Sequence, residues 1–201
     1  MINKPSDWNN VQAFSDRQKL PLGAYVCTIK QAVVRHNDYG DQLCALFDIA
    51  AGEFAGYYDD DFKRNQREDK KWKGVLRLWL PKNDGSDKDG WTKSILKGFV
   101  TSVEESNRGY TWDWDEKSLA KKKIGILFRN EQWEYNGKSG WAVRPFRAIS
   151  VDSVEDGKYT LPSDKPLRNE PAPSYGDFSN PYSGSTGEFA PLEDDDAQLP
   201  F

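Results

Sequence analysis

The chain is 201 residues long, 37% hydrophobic and 30% charged, with a mean hydropathy of −0.83. That is too polar for a chain that is globular throughout, so part of it is expected to be unfolded, and no apolar stretch is long enough to span a membrane. Net charge is −4, which taken whole speaks against a polyanionic partner.

The N-terminus, Met1 to Asp7, has no apolar core of the secretory kind, so the sequence is expected to be cytoplasmic with reduced thiols. After Pro21 and Gly23, Tyr25 to Val34 is rich in β-branched residues and reads as a first strand containing Cys27. Asn37-Asp38-Tyr39-Gly40 is a turn signal. Leu43 to Ile49, with Cys44, reads as a second strand; the two cysteines form neither a disulfide framework nor a metal motif. Residues 52–71 are polar, with glycines and charge clusters. Val75 to Leu80 alternates with period two and is ended by Pro81, a third strand. Residues 82–90 are a loop. Thr92 to Glu105 places Ile95, Leu96, Phe99, Val100 and Val103 at helical spacing. Lys123 to Arg129 is a fourth strand, Asn136-Gly137 a hairpin turn, and Trp141 to Ile149 a fifth strand. Seven of the eleven prolines follow residue 160. The stretch from Pro162 to Pro191 has no apolar periodicity and reads as a flexible linker, with Tyr175, Phe178, Tyr182 and Phe189 as isolated aromatics.

Charge divides along the same line. Residues 156–201 hold three basic and nine acidic residues, net −6; the other 155 hold 25 basic and 23 acidic, net +2. The expected organisation is a folded domain at 1–155, a linker at 156–192 and an acidic tip at 193–201. The tip reads Glu193-Asp194-Asp195-Asp196-Ala197-Gln198-Leu199-Pro200-Phe201. Four adjacent acids cannot be buried. The ring and α-carboxylate of Phe201 suit a small pocket beside a cation, and Pro200 limits the freedom lost on docking.

This ending resembles the C-terminal tip of bacterial single-stranded DNA-binding proteins, although Ala197 and Gln198 separate its acids from Leu199. In that family the tip recruits replication and repair enzymes, so the resemblance implies partner contacts by Asp194, Asp195, Asp196, Leu199, Pro200 and Phe201 with a polymerase, helicase, primase or nuclease. The body is expected to be mainly β: five strands with one helix between the third and fourth, the element order of an OB-fold barrel, followed by a disordered tail. It resembles a widespread family of phage-encoded OB-fold proteins in Gly23-Ala24-Tyr25-Val26-Cys27-Thr28-Ile29-Lys30, in Phe47-Asp48-Ile49-Ala50-Ala51-Gly52 and in Glu134-Tyr135-Asn136-Gly137-Lys138. The similarity covers about residues 20–150 and implies a phage replication protein that coats single-stranded DNA in the infected cell.

Nonspecific binding of a single strand needs cations for phosphates interleaved with rings for bases. All eight tryptophans lie before residue 156. Third-strand alternation turns Leu76, Leu78 and Leu80 inward and Lys73, Val75, Arg77 and Trp79 outward. At the last hairpin, Trp133, Tyr135, Lys138 and Trp141 gather around Asn136-Gly137, with Trp133 and Tyr135 on the face away from Ile124, Ile126 and Phe128. Arg144 and Arg147 follow, one on each face by simple alternation. The basic run Lys63, Arg64, Arg67, Lys70, Lys71, Trp72, Lys73 lies in a polar segment behind Asp59-Asp60-Asp61. Tyr39 in the first hairpin loop is a further candidate, as is the run Lys121-Lys122-Lys123.

Catalysis is not expected. His36 is the sole histidine, no Ser or Cys has an activating setting, and no phosphate-cradling glycine loop occurs. Neither Asp59-Asp60-Asp61 nor Asp84, Asp87 and Asp89 follows the calcium-loop pattern, and nothing calls for a cofactor. The leading expectation is a sequence-nonspecific single-stranded DNA-binding protein of replication, recombination and repair, with a homo-oligomer left open. The alternatives are a Trp-rich β module for carbohydrate or protein, such as a virion component, and a nuclease built on the Asp clusters.

Overall fold

The structure, a computed structural model, describes residues 3–10 and 18–167. Five strands form one antiparallel sheet: β1 (Ala24–Asn37), β2 (Gly40–Ile49), β3 (Val75–Trp79), β4 (Lys123–Tyr135) and β5 (Lys138–Ile149). Their order across the sheet is β3-β2-β1-β4-β5. Three helices accompany them: α1 (Tyr57–Arg64), α2 (Asp87–Ser106) between β3 and β4, and α3 (Val151–Glu155). Short 3₁₀ turns lie at Trp8–Asn10 and Glu116–Leu119. No helix among the described residues is long and apolar enough to cross a membrane.

Alternation along the strands explains one face. Cys27 and Ile29, then Leu43, Ala45, Phe47 and Ile49, then Leu76 and Leu78, then Ile124, Ile126 and Phe128 all point into a common core. Helix α2 closes that core with Leu96, Phe99 and Val103, spaced to share one side of a helix. It starts five residues before the expected Thr92. Ser86 caps it by accepting the Asp89 N–H at 3.2 Å, and the Asp89 carboxylate accepts the Asn83 N–H at 2.8 Å.

The expected closed barrel is not formed. β3 and β5 approach within 8 Å between Cα atoms, yet no hydrogen-bonded ladder joins them. β3 is only five residues long, and β5 carries Pro145, which lacks an N–H, beside a bulge at Phe146. The two edges therefore offer no matching rows of donors and acceptors.

The polar segment at 52–71 contains a helix that its composition hides. Gly56 precedes α1 without a side-chain cap of its own. Asp48, buried on β2, supplies the cap: its Oδ1 accepts the N–H of Tyr58 at 3.0 Å and its Oδ2 that of Asp59 at 3.2 Å. Gly74, before β3, runs against this helix; a Cβ there would lie 2.4 Å from the Phe47 carbonyl oxygen and 2.7 Å from the Tyr58 ring.

Residues 156–167, the first part of the segment read as a linker, return to the sheet. Lys165 pairs in parallel with β4: its N–H donates to the Asn130 carbonyl and its carbonyl accepts the Gln132 N–H, both at 2.9 Å. Leu167 N–H donates to Gln132 Oε1 at 3.0 Å. The rest of the linker and the acidic tip lie outside the described residues.

Candidate nucleic-acid interface

The outer face of β1-β2-β3 is set by register. Cross-strand rows run Arg35–Gln42–Trp79, Val33–Cys44–Arg77 and Gln31–Leu46–Val75. Val75 is buried rather than exposed, because Trp72 folds over a small second cluster of Cys44, Leu46 and Val75. The Trp72 indole N–H donates to the Phe47 carbonyl at 2.9 Å. Burial pushes the Cys44 thiol pKa up, while the charges of Arg77 and Arg35 pull it back, which places both guanidinium groups beside that row. Lys30, the extra residue in a β1 bulge, holds its Nζ 5.8 Å from the Trp72 ring centroid. Phe62 of α1 tilts against Trp72 at 5.7 Å, and Lys70 Nζ lies 4.4 Å over the Phe62 ring. Cations and rings thus alternate from Lys30 to Lys70. Lys30, Arg35 and Phe62 were not anticipated: a bulge, a partner strand and a concealed helix bring them in.

The basic run beside this face is less available than its sequence suggests. The aspartates that precede it pair with it: Lys63 with Asp59 at 2.5 Å, and Lys73 with Asp61 at 3.1 Å. Arg64 lines a shallow hollow with Glu53, Asp60 and Asp61. Lys71 is exposed, Arg77 is exposed and Trp79 is half-buried.

The β4–β5 arm is the second surface. Asn136 and Gly137 both have positive φ, 50° and 71°, so the two-residue turn is of type I′. The bulge falls on β5, and β4 keeps an unbroken alternation. Trp133 and Tyr135 therefore share the face opposite Ile124, Ile126 and Phe128. Their cross-strand partners on that face are Gly140 and Lys138. Trp133 lies flat enough on Gly140 that a Cβ there would sit 3.0 Å from the indole.

Register gives Trp141 a face and changes one expectation. Trp141 pairs with Gln132 and faces the other way from Trp133. Arg144 and Arg147 do not fall on opposite faces. The Phe146 bulge shifts the alternation by one, so Arg144 pairs with Arg129 and Arg147 with Leu127, all on the Trp133 face. The Phe146 ring lies 4.2 Å from the guanidinium of Arg129 and 5.9 Å from that of Arg147. Arg129 pairs with Glu131, its Nε is buried without a partner, and neither Arg144 nor Arg147 forms an ion pair among the described residues. Glu131 offsets the charge of Arg129, and Arg144 directly opposite it is exposed.

Tyr39 stands 69% exposed at the β1–β2 tip, where its N–H donates to Asn37 Oδ1 at 3.1 Å. Trp79 and Lys82 pack against Gly40 at the same tip. Lys121 and Lys123 are exposed; Lys122 Nζ sits 3.9 Å over the Tyr110 ring. Sequence reading passed over Trp114, which is 68% exposed and has a φ of 67°. Left-handed backbone under a bulky residue is unfavourable by about 1–3 kcal/mol. The indole stacks on buried Trp112, with centroids 4.9 Å apart and planes 33° apart.

No protein-family model matches this chain, and no curated protein matches it.

Proposed function

We propose that this chain binds single-stranded DNA with little sequence preference, along the outer side of a curled sheet that is an open variant of the OB-fold. The observation that carries the reading is the single face of the β4–β5 arm on which Arg144, Arg147, Trp133, Tyr135 and Lys138 stand together. A strand with its bases unpaired presents phosphates and ring faces side by side, and this face presents their complements at the same scale. Two of its arginines have no carboxylate partner among the described residues. The cation-and-ring series from Lys30 through Trp72 and Phe62 to Lys70 adds a second contact region. In this reading the chain coats single-stranded DNA in the cytoplasm of a phage-infected bacterium, and the acidic tip from Asp194 to Phe201 brings replication or recombination proteins to it.

The test is a titration with oligo-dT and with duplex of the same length, followed by tryptophan fluorescence at two salt concentrations. Quenching by the single strand that weakens as salt rises supports the reading. Equal response to both DNAs, or to neither, sinks it; in the second case carbohydrate and protein ligands come next.

A further inference from the structure

The described chain holds a second aromatic station that neither surface above includes. Trp114 projects from the segment between α2 and β4, one indole face against Trp112 and the other open to solvent. Its position is fixed from several sides. The Trp112 indole N–H donates to the Asp115 carbonyl at 2.9 Å, and the Trp112 N–H to Glu104 at 2.9 Å. The Asp113 carboxylate accepts the Ser118 hydroxyl at 2.7 Å and the Asp115 N–H at 3.2 Å; Asp115 in turn accepts the Lys117 N–H at 3.0 Å. Both flanking carboxylates are thus engaged by donors of their own segment. The lysines are not: Lys117, Lys121, Lys122 and Lys123 form no ion pair among the described residues.

This station is joined to the sheet. Lys121 N–H donates to the Ile29 carbonyl at 2.7 Å, and Ile29 N–H to the Lys122 carbonyl at 2.9 Å. The lysine run therefore abuts the β1 bulge, whose extra residue Lys30 reaches over Trp72. On the far side Lys122 covers Tyr110, whose hydroxyl is 2.9 Å from that of Ser118, next to the Trp114 loop. The lysine run thus lies between the β1 bulge and the Trp114 loop.

We infer that a bound single strand leaves the sheet at Lys30, crosses Lys121 and Lys123, and stacks a base on Trp114. This rests on the single-strand reading and lengthens the footprint it implies. A preformed indole suits the role, because stacking then costs little ordering of the protein.

The experiment compares wild type, Trp114→Ala and Trp114→Phe on oligo-dT of about 8 and about 30 nucleotides, a range that spans the usual footprint of such folds. Circular dichroism confirms that each variant is folded. Trp114→Ala should bind the long oligonucleotide roughly 5- to 150-fold more weakly, the loss of one stacked base. It should bind the short one as wild type does, and occlude fewer nucleotides per protein; Trp114→Phe should recover most of the long-strand affinity. Unchanged affinity of Trp114→Ala for both lengths overturns the inference while leaving the single-strand reading intact. So does an equal loss on both lengths, which makes Trp114 part of the primary surface. Wild-type protein that binds neither oligonucleotide overturns the reading and the inference together.

Discussion

Asp48 shows how a single side chain ties a loop to a sheet. Its carboxylate is 4% exposed and accepts the N–H groups of Ile49, Tyr58 and Asp59, two of them at the start of α1. Asp48→Ala leaves those donors, two of them buried and one part-buried, without an acceptor. It should lower stability by about 1–3 kcal/mol, read as a fall in the denaturant midpoint at constant m-value. An unchanged midpoint means that α1 does not depend on this cap. On the arm, charge and ring separate by experiment. Arg144→Ala should reduce the slope of log affinity against log salt by about 0.7, one phosphate contact on a single strand. Trp133→Ala should weaken binding by about 1–3 kcal/mol with the slope retained. If both variants keep wild-type affinity, the arm is not the binding surface.

At the scale of elements, the sequence announced each strand and the long helix through local signals. Period-two alternation marked β3, helical spacing marked α2, and Asn136-Gly137 marked the final turn. What escaped was set by contacts distant in the chain. Helix α1 reads as Tyr-Tyr-Asp-Asp-Asp-Phe-Lys-Arg, with little apolar pattern, and its cap comes from another strand. β2, whose sequence reads as alternating, is buried on both faces along nearly its whole length, so alternation there did not tell a core side from a solvent side. The faces of Arg144 and Arg147 turned on one inserted residue at Phe146, and Lys63 and Lys73 were paired by aspartates of a helix that composition did not reveal. Site residues were therefore legible as types, and their grouping only as far as strand register could be guessed. The turn itself offers a test. Gly137→Ala keeps a Cβ at a φ of 71°, which should cost about 1–2 kcal/mol. The effect should appear as faster amide exchange along 130–143, with the core strands protected as before.

For the whole molecule, the two cysteines report on global opening. Cys27 lies in the main core and Cys44 on the outer face of β2 under Trp72, and both are fully buried. Burial pushes both thiols up, strongly at Cys27 where Asp48 adds to the effect, and against the opposing charges of Arg77 and Arg35 at Cys44. The nucleophile in thiol chemistry is the thiolate, so neither should react with an aromatic disulfide reagent at neutral pH while the fold is closed. Both should label at the rate of unfolding, and in denaturant two equivalents should appear at once. Fast labelling of Cys44 alone would show that Trp72 swings away from β2 without global unfolding. Cross-linking of Cys27 to Cys44 within one folded chain is excluded by their placement on opposite faces of the sheet.

The parallel bond pair at Lys165 has a consequence of its own. Residues 164–167 run in the same direction as β4, so the chain is heading toward the turn at Asn136 when it passes Leu167. Whatever the following residues hold is tethered to the strand that carries Trp133 and Tyr135, and not to the distant end of the domain. A segment inserted just after Leu167 would enter beside that strand, at the arm's end of the domain.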